Sequence, residues 1–147
     1  MEEEKKEIIK EVEEEIRKYE IQQGLVISNL IYKLIKYTCD KLEETFEAPL
    51  ELILEFLNEN TDTLEYSLID KELDKLSMPI KIALNSAVKV LGAIVKTKGW
   101  KKELLENGND LILAVVKKYD PQLYEMLKDK QNLLNFIKSY IIYKLGI

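Results

Sequence analysis

Residues 77–99, SMPIKIALNSAVKVLGAIVKTKG, decide the fold of this 147-residue chain. The segment opens with Ser77, a residue type that caps helix N-termini, and Pro79 follows within the first turn. It closes at Gly99, because glycine is the residue that most often follows the last turn of a helix. Between these signals, large apolar residues alternate with small ones that allow close helix packing, namely Ala83, Ala87, Gly92 and Ala93. We therefore predict a central, apolar core helix here.

The composition extends this prediction to the whole chain. It is 46% hydrophobic and 33% charged, with only 5 Gly and 3 Pro. This profile is typical of long helices with short connections, and 147 residues suffice for one domain with a buried core. We predict an all-α helical bundle of about five to seven helices over residues 24–147. An N-terminal amphipathic arm, residues 1–23, precedes the bundle and can protrude from it.

Three helices are predicted between the arm and the core segment. Apolar residues at a spacing of three to four predict a helix over residues 25–44. Pro49 marks the start of the next helix, and Thr63 is placed to cap a third. The single cysteine, Cys39, lies on the apolar side of the first of these helices, so we interpret it as a small core residue rather than a reactive thiol.

Beyond Gly99, the turn signals predict further helices. A short helix should end at Asn107-Gly108, and a second helix should follow it. Asp120 then provides an N-cap with Pro121 at the first helical position. Near-heptad apolar spacing continues from there, so a single long helix is expected to run to the end of the chain.

Both ends of the chain carry apolar residues in excess of what one packed face requires. The arm has a narrow apolar stripe in a charged helix, which favours docking on another surface over deep burial. In the last segment, SYIIYKLGI (139–147), apolar side chains cover most of the helix circumference. Either another helix of the same chain or a neighbouring subunit must cover them. The predicted subunit interface consists of Ile8, Val12, Ile16, Tyr19, Tyr140, Ile141, Ile142, Tyr143, Leu145 and Ile147.

Charge is unevenly distributed along the chain. The first 75 residues carry a net charge of −11 and the remaining residues +6, which together give the formal charge of −5. Three interpretations remain open. The two halves can pack against each other within one molecule, acidic and basic surfaces can meet between copies in a head-to-tail assembly, or the basic half can contact nucleic acid.

The densest basic stretch is KTKGWKK, residues 96–102. Its lysines can neutralise phosphates, and its tryptophan can either stack on a base or pack into a helix–helix corner. The only arginine is Arg17, so base-specific readout, which depends strongly on arginine, is disfavoured. We predict non-specific double-stranded DNA contact by Lys96, Lys98, Trp100, Lys101, Lys102, Lys117 and Lys118, with the last two lying near the others.

The residues required for common catalytic sites are missing. Without histidine the chain lacks the commonest general base and the imidazole metal ligand, and one cysteine cannot form a structural zinc site. Glutamates recur every four residues around Pro49, but the proline interrupts any single helix through them, which favours a solvated acidic face. No phosphate-binding loop is present. We predict no enzymatic activity, cofactor, metal or small-molecule substrate.

The chain also gives no sequence signal for a membrane. Its start, MEEEKKE, is charged rather than apolar, and no uncharged stretch approaches the roughly 20 residues of a membrane span. We expect an intracellular protein with no membrane span.

The arm EEEKKEIIKEVEEEIRKYE (2–20), the Ile/Lys/Glu/Tyr-rich composition, the lack of histidine and the basic, apolar second half support a resemblance. The chain resembles small helical-bundle proteins of viruses of hyperthermophilic archaea, including coat proteins of spindle-shaped and rod-shaped viruses. The resemblance implies helices packed around linear or helical assemblies, with basic faces toward the genome.

The expected function is therefore that of a non-enzymatic, self-assembling coat subunit, found in the virion or the host cytoplasm. Related bundle proteins of such viruses resemble transcription regulators. The alternative is a small viral or host regulator that binds a larger machine such as RNA polymerase.

Overall fold

The computed structural model describes residues 2–7, 10, 14, 17, 18 and 27–147, and it is all-α over these residues. All of the described residues before Ile27 are helical. The remainder forms seven α-helices and one short 3-10 helix, Thr61–Thr63. The α-helices are α1 (Ile27–Phe46), α2 (Leu50–Glu59), α3 (Tyr66–Leu73), α4 (Met78–Lys98), α5 (Lys101–Tyr119), α6 (Pro121–Leu127) and α7 (Gln131–Leu145). The predicted all-α class is confirmed.

Several helix ends lie where the sequence predicts them. Ser77 precedes α4 in extended backbone, but its side chain makes no capping hydrogen bond, so the start is predicted correctly and the cap is not. Gly99 ends α4 with a left-handed φ of 68°. Gly146 ends α7 with the same φ, a conformation that costs glycine little because it has no Cβ. The side chain of Asp120 accepts a hydrogen bond from the backbone N–H of Leu123 at 3.0 Å, which caps α6.

One predicted helix end is wrong. Helix α5 continues through Asn107 and Gly108, and both residues are buried. A Cβ atom at position 108 would lie 2.6 Å from Cδ of Lys138, closer than real contacts allow. Gly108 therefore leaves room for the Lys138 side chain, whose ammonium group donates to the carbonyl of Leu105 at 3.0 Å, instead of ending a helix.

Two other predictions at helix boundaries also fail. The last segment is not one helix, because a turn at residues 128–130 separates α6 from α7. The backbone N–H of Lys130 donates to the carbonyl of Leu127 at 3.0 Å in this turn. Thr63 lies in the 3-10 helix, and α3 begins three residues later at Tyr66.

Helices α1 and α7 organise the core. Helix α1 packs on α2, α3, α4 and α5, while α7 packs on α2, α4, α5 and α6. Cys39 is buried in α1 as predicted, and burial raises the pKa of its thiol to about 12. Such a thiol remains protonated at neutral pH and is a poor nucleophile.

Helix α4 is the apolar core helix, but only one of its sides is in the core. Its buried residues are Leu84, Ala87, Gly92, Ile94 and Val95. Among the described residues, α4 alone is long and apolar enough to cross a membrane by length and composition. Core helices of soluble proteins can meet the same criterion, yet only 28% of its most apolar 18-residue window is buried. Ile80, Val88 and Leu91 are half-buried against the core, while ten of the 21 residues of α4 are exposed.

Candidate functional site

The C-terminal segment is covered mainly by its own chain. Tyr140, Ile141 and Leu145 are buried, and Tyr140 is only 2% exposed. A Cβ atom on Gly92 would lie 2.8 Å from the backbone oxygen of Leu145, so the end of α7 packs directly on α4. These three predicted interface residues are at most 8% exposed within one chain, so they offer little surface for a second copy to cover.

A polar network secures the buried tyrosine. The Tyr140 hydroxyl donates to Oδ1 of Asp70 at 2.6 Å, and Nζ of Lys144 lies 2.7 Å from the same oxygen. Burial raises the pKa of Asp70, but the hydrogen bonds from Lys144 and Tyr140 outweigh burial and lower the pKa below its ordinary value. Burial, together with the bond to Asp70, raises the pKa of Tyr140. The network joins α7 to α3.

The other residues predicted for the subunit interface have different environments. Ile142 and Ile147 are half-buried, and Ile147 packs on the main core. Tyr143 is more than half exposed, and its ring stacks on Tyr66 with 4.9 Å between centroids. Ile8, Val12, Ile16 and Tyr19 lie outside the described residues.

The described start of the arm contacts the bundle. Nζ of Lys5 lies 2.5 Å from Oδ2 of Asp110 on α5. The hydrogen bond to this carboxylate raises the pKa of Lys5. Because both groups remain partly solvated, the ion pair stabilises the contact only weakly.

The lysine corner consists of Lys96, Lys98, Lys101 and Lys102, where α4 ends and α5 begins, and all four side chains are exposed. Trp100, between them, is half-buried and packs against buried Ile31 and Ile94. Of the two interpretations of this tryptophan, packing in a helix–helix corner describes its position. The corner therefore presents lysines without a free aromatic platform.

Lys117 and Lys118 do not join the lysine corner. They lie 16 and 17 residues after Lys101 on the same helix, which separates them from it by about 24 Å at 1.5 Å per residue. Nζ of Lys117 lies 5.1 Å from the centre of the Tyr124 ring, and Nζ of Lys118 lies 5.2 Å from that of Tyr119. The expectation that they lie near the corner is wrong, because α5 is continuous.

Two pairs of exposed apolar residues are not among the residues predicted from the sequence. On α2, Leu52 and Phe56 are 58% and 64% exposed; on α4, Met78 and Ile82 are 62% and 58% exposed. Each pair is spaced i, i+4, so its two side chains are neighbours on one helix face. A signal for the first pair was present, because six of the eight residues 50–57 are apolar, more than one packed face uses.

The two pairs lie in segments of opposite charge. Residues 42–70, which include α2, contain nine acidic residues and no lysine or arginine. Residues 75–102, which include α4, contain seven lysines and no acidic residue. Exposed apolar patches rimmed by polar residues are typical of interaction sites, and complementary charge favours particular partners.

The described residues hold no group of three His, Cys, Asp or Glu side chains suited to a metal ion. An open groove of about 620 Å³ lies between the 3-10 helix and α7. Its polar lining includes the carboxylates of Asp62 and Glu65 and the hydroxyls of Thr61 and Ser139.

Comparison with protein-family models, with curated proteins and with solved structures gives no match for this chain.

Proposed function

We propose that this protein is a non-enzymatic, self-assembling helical subunit that coats double-stranded DNA, as a virion coat protein does. The observation that supports the proposal is the pair of exposed apolar faces, one in an acidic segment and one in a lysine-rich segment. An isolated monomer gains nothing from exposing such faces, whereas a repeating contact between copies would bury both.

The lysine corner supplies the DNA side of the proposal. Four exposed lysines occur within seven residues, at a corner formed by two helix ends. Lysine ammonium groups bind phosphates by charge and release counterions, which gives affinity without sequence readout. A coat subunit needs this type of contact, because it covers the genome regardless of sequence.

Assembly is tested by the molar mass of nuclease-treated protein, measured by light scattering on a sizing column at low and high salt. We expect species larger than the 17.2 kDa chain in 0.05 M NaCl. Their mass should fall in 0.5 M NaCl, because salt screens contacts between exposed charges. A 17.2 kDa monomer at all protein concentrations would contradict assembly and favour the alternative, a small regulator that binds a larger machine such as RNA polymerase.

DNA contact is tested by changing the four lysines of the corner to alanine together. We expect weaker binding to a 30-base-pair duplex and a slope of log K against log salt that is shallower by up to about 3.6, at about 0.9 for each lost phosphate contact. Fluorescence anisotropy at several salt concentrations measures both quantities.

The matched control removes the same charge elsewhere, at the exposed residues Lys6, Lys10, Lys71 and Lys128. Equal losses in the two variants would show that binding follows net charge alone, and the corner would then not be the DNA face.

A further inference from the structure

We propose that the exposed face of α2 in one copy docks on the exposed face of α4 in the next copy, in a head-to-tail contact. This inference rests on the proposed self-assembly and names the two surfaces that carry it. The α2 face consists of Leu52 and Phe56 with the flanking glutamates Glu51, Glu55 and Glu59. The α4 face consists of Met78 and Ile82 with Lys81 and Lys89.

The α2 face combines an apolar pair with carboxylates along one side, because Glu55 and Glu59 each follow an apolar residue of the pair by three positions. Leu52 and Phe56 lie one turn apart, and the three glutamates beside them are also exposed. The opposite side of α2 is already committed to the core through Ile53, Leu54 and Leu57.

The α4 face has the same organisation with the opposite charge. Met78 and Ile82 lie one turn apart at the start of the helix, and exposed Lys89 follows two turns later on the same side. Lys81 is half-buried beside Ile82, and α4 itself contains no acidic residue.

The two faces also match in length. Helix α2 has ten residues and is therefore about 15 Å long, while the stretch from Met78 to Lys89 rises about 16.5 Å. When α2 lies along α4, Leu52 and Phe56 can cover Met78 and Ile82. The glutamates of α2 then lie within reach of the lysines of α4. The four apolar side chains would then leave water together.

Charge favours contact of the α2 face with the α4 face of a second copy over contact between two α2 faces. Two α2 faces in a symmetric contact would oppose Glu51, Glu55 and Glu59 to the same residues, which is repulsive. The α2 face does not bind the α4 face of the same molecule. Both helices pack on α1, and all four apolar side chains remain more than half exposed. Contact between two different faces repeats from copy to copy, as a coat requires.

The test uses two variants that each break one face. Leu52→Ser/Phe56→Ser breaks the α2 face, and Met78→Ser/Ile82→Ser breaks the α4 face. Sedimentation velocity should show that each variant alone loses the large species, with an apparent dissociation constant raised at least about tenfold. An equimolar mixture should then form a dimer of twice 17.2 kDa, because each variant retains the face that the other lacks.

Charge reversal provides a second set of variants if the serine variants lose their helical circular dichroism. Glu51→Lys/Glu55→Lys and Lys81→Glu/Lys89→Glu should each abolish assembly alone. A chain that carries all four substitutions should assemble again, since the attraction is restored with the signs exchanged.

The outcomes separate this inference from the proposed function. A monomeric wild type would contradict self-assembly, and the inference would fail with it. If the wild type assembles but the folded variants do so too, or their mixture forms no dimer, the two faces are wrong while self-assembly stands. Sedimentation with phosphatidylcholine–phosphatidylglycerol vesicles, lost only in the Met78→Ser/Ile82→Ser variant, would assign the α4 face to lipid and overturn the contact.

Discussion

Helices α7 and α2 are both apolar around much of their circumference, yet their apolar residues have opposite environments. In α7, Leu134 and Tyr140 are almost fully buried, whereas in α2 Leu52 and Phe56 are mostly exposed. The reason is the placement of neighbours. Helix α7 packs on α2, α4, α5 and α6, while α2 packs on α1, α6 and α7 and keeps Leu52 and Phe56 exposed. An apolar sequence thus indicates a need for cover, but the arrangement of helices decides whether the chain provides it.

The largest test of this comparison is the same substitution in both helices. Leu134→Ala removes a side chain with no exposed surface, and we expect the free energy of unfolding to fall by about 2–5 kcal/mol. Leu52→Ala should change it by no more than about 0.5 kcal/mol, because the side chain is already largely in water.

Urea unfolding in 0.5 M NaCl measures both values under conditions that weaken contacts between copies. A similar loss in the two variants would show that Leu52 is as well covered in α2 as Leu134 is in α7.

The features that the sequence predicted are those with local causes. Gly99 ends α4 through its left-handed backbone, and Asp120 caps α6 through its side chain, so both roles are readable from short segments. Gly108 has the same local signature as a helix stop. Its real role depends on Lys138, thirty residues away, and short-range pattern reading cannot supply that contact.

The candidate surfaces were predicted less well for the same reason. The lysine corner was found because its charges are adjacent in sequence. Tyr140 is predicted at an interface because the local pattern shows only an excess of apolar residues. Its hydrogen-bond partner, Asp70, is seventy residues away in sequence, so the local pattern does not reveal it. Leu52 and Phe56 were overlooked because exposure depends on where the neighbouring helices end.

The close contact between α7 and α4 predicts a second effect on stability. Gly92→Ala places a Cβ atom 2.8 Å from the backbone oxygen of Leu145, which cannot rotate away as a side chain could. We expect the free energy of unfolding to fall by about 1–3 kcal/mol, the usual cost of overpacking. Thermal unfolding followed by circular dichroism measures the change.

Ala93→Ser, at the next and exposed position of α4, is the control and should cost no more than about 0.5 kcal/mol. A Gly92→Ala protein as stable as the wild type would mean that the end of α7 does not pack on α4 as closely as the distance indicates.

A third prediction concerns the hydrogen bond that accompanies the burial of α7. Tyr140→Phe keeps the ring and removes the hydroxyl that donates to Asp70. Because Lys144 still contacts the carboxylate, we expect a loss of about 1.5 kcal/mol, at the low end for a bond to a charged group. Tyr143→Phe, on the exposed side of α7, should be close to neutral in the same urea unfolding experiment. If Tyr140→Phe does not change the free energy of unfolding, the hydrogen bond to Asp70 does not help to hold α7 in place.

The smallest expected effect is the pH dependence that this network creates. The pKa of Asp70 lies below its ordinary value of 3.8 in the folded protein, so the folded state binds the proton less tightly than the unfolded chain does. The stabilisation is therefore fully present above about pH 4 and is lost as pH falls through the folded-state pKa. Because the Asp70 side chain is about one third exposed, solvent screens part of the interaction and keeps the contribution small.

Unfolding free energies between pH 2.5 and pH 7 measure this contribution, with Asp70→Asn as the test and Asp74→Asn, at an exposed position on the next turn, as the control. Asp70→Asn should flatten the acid side of the stability curve, whereas Asp74→Asn should leave it nearly unchanged. An equal response in the two variants would mean that acid acts on general surface charge. The burial of α7 would then depend on apolar packing alone. The difference in exposure between the apolar residues of α7 and α2 would be caused only by which helices pack on each of them.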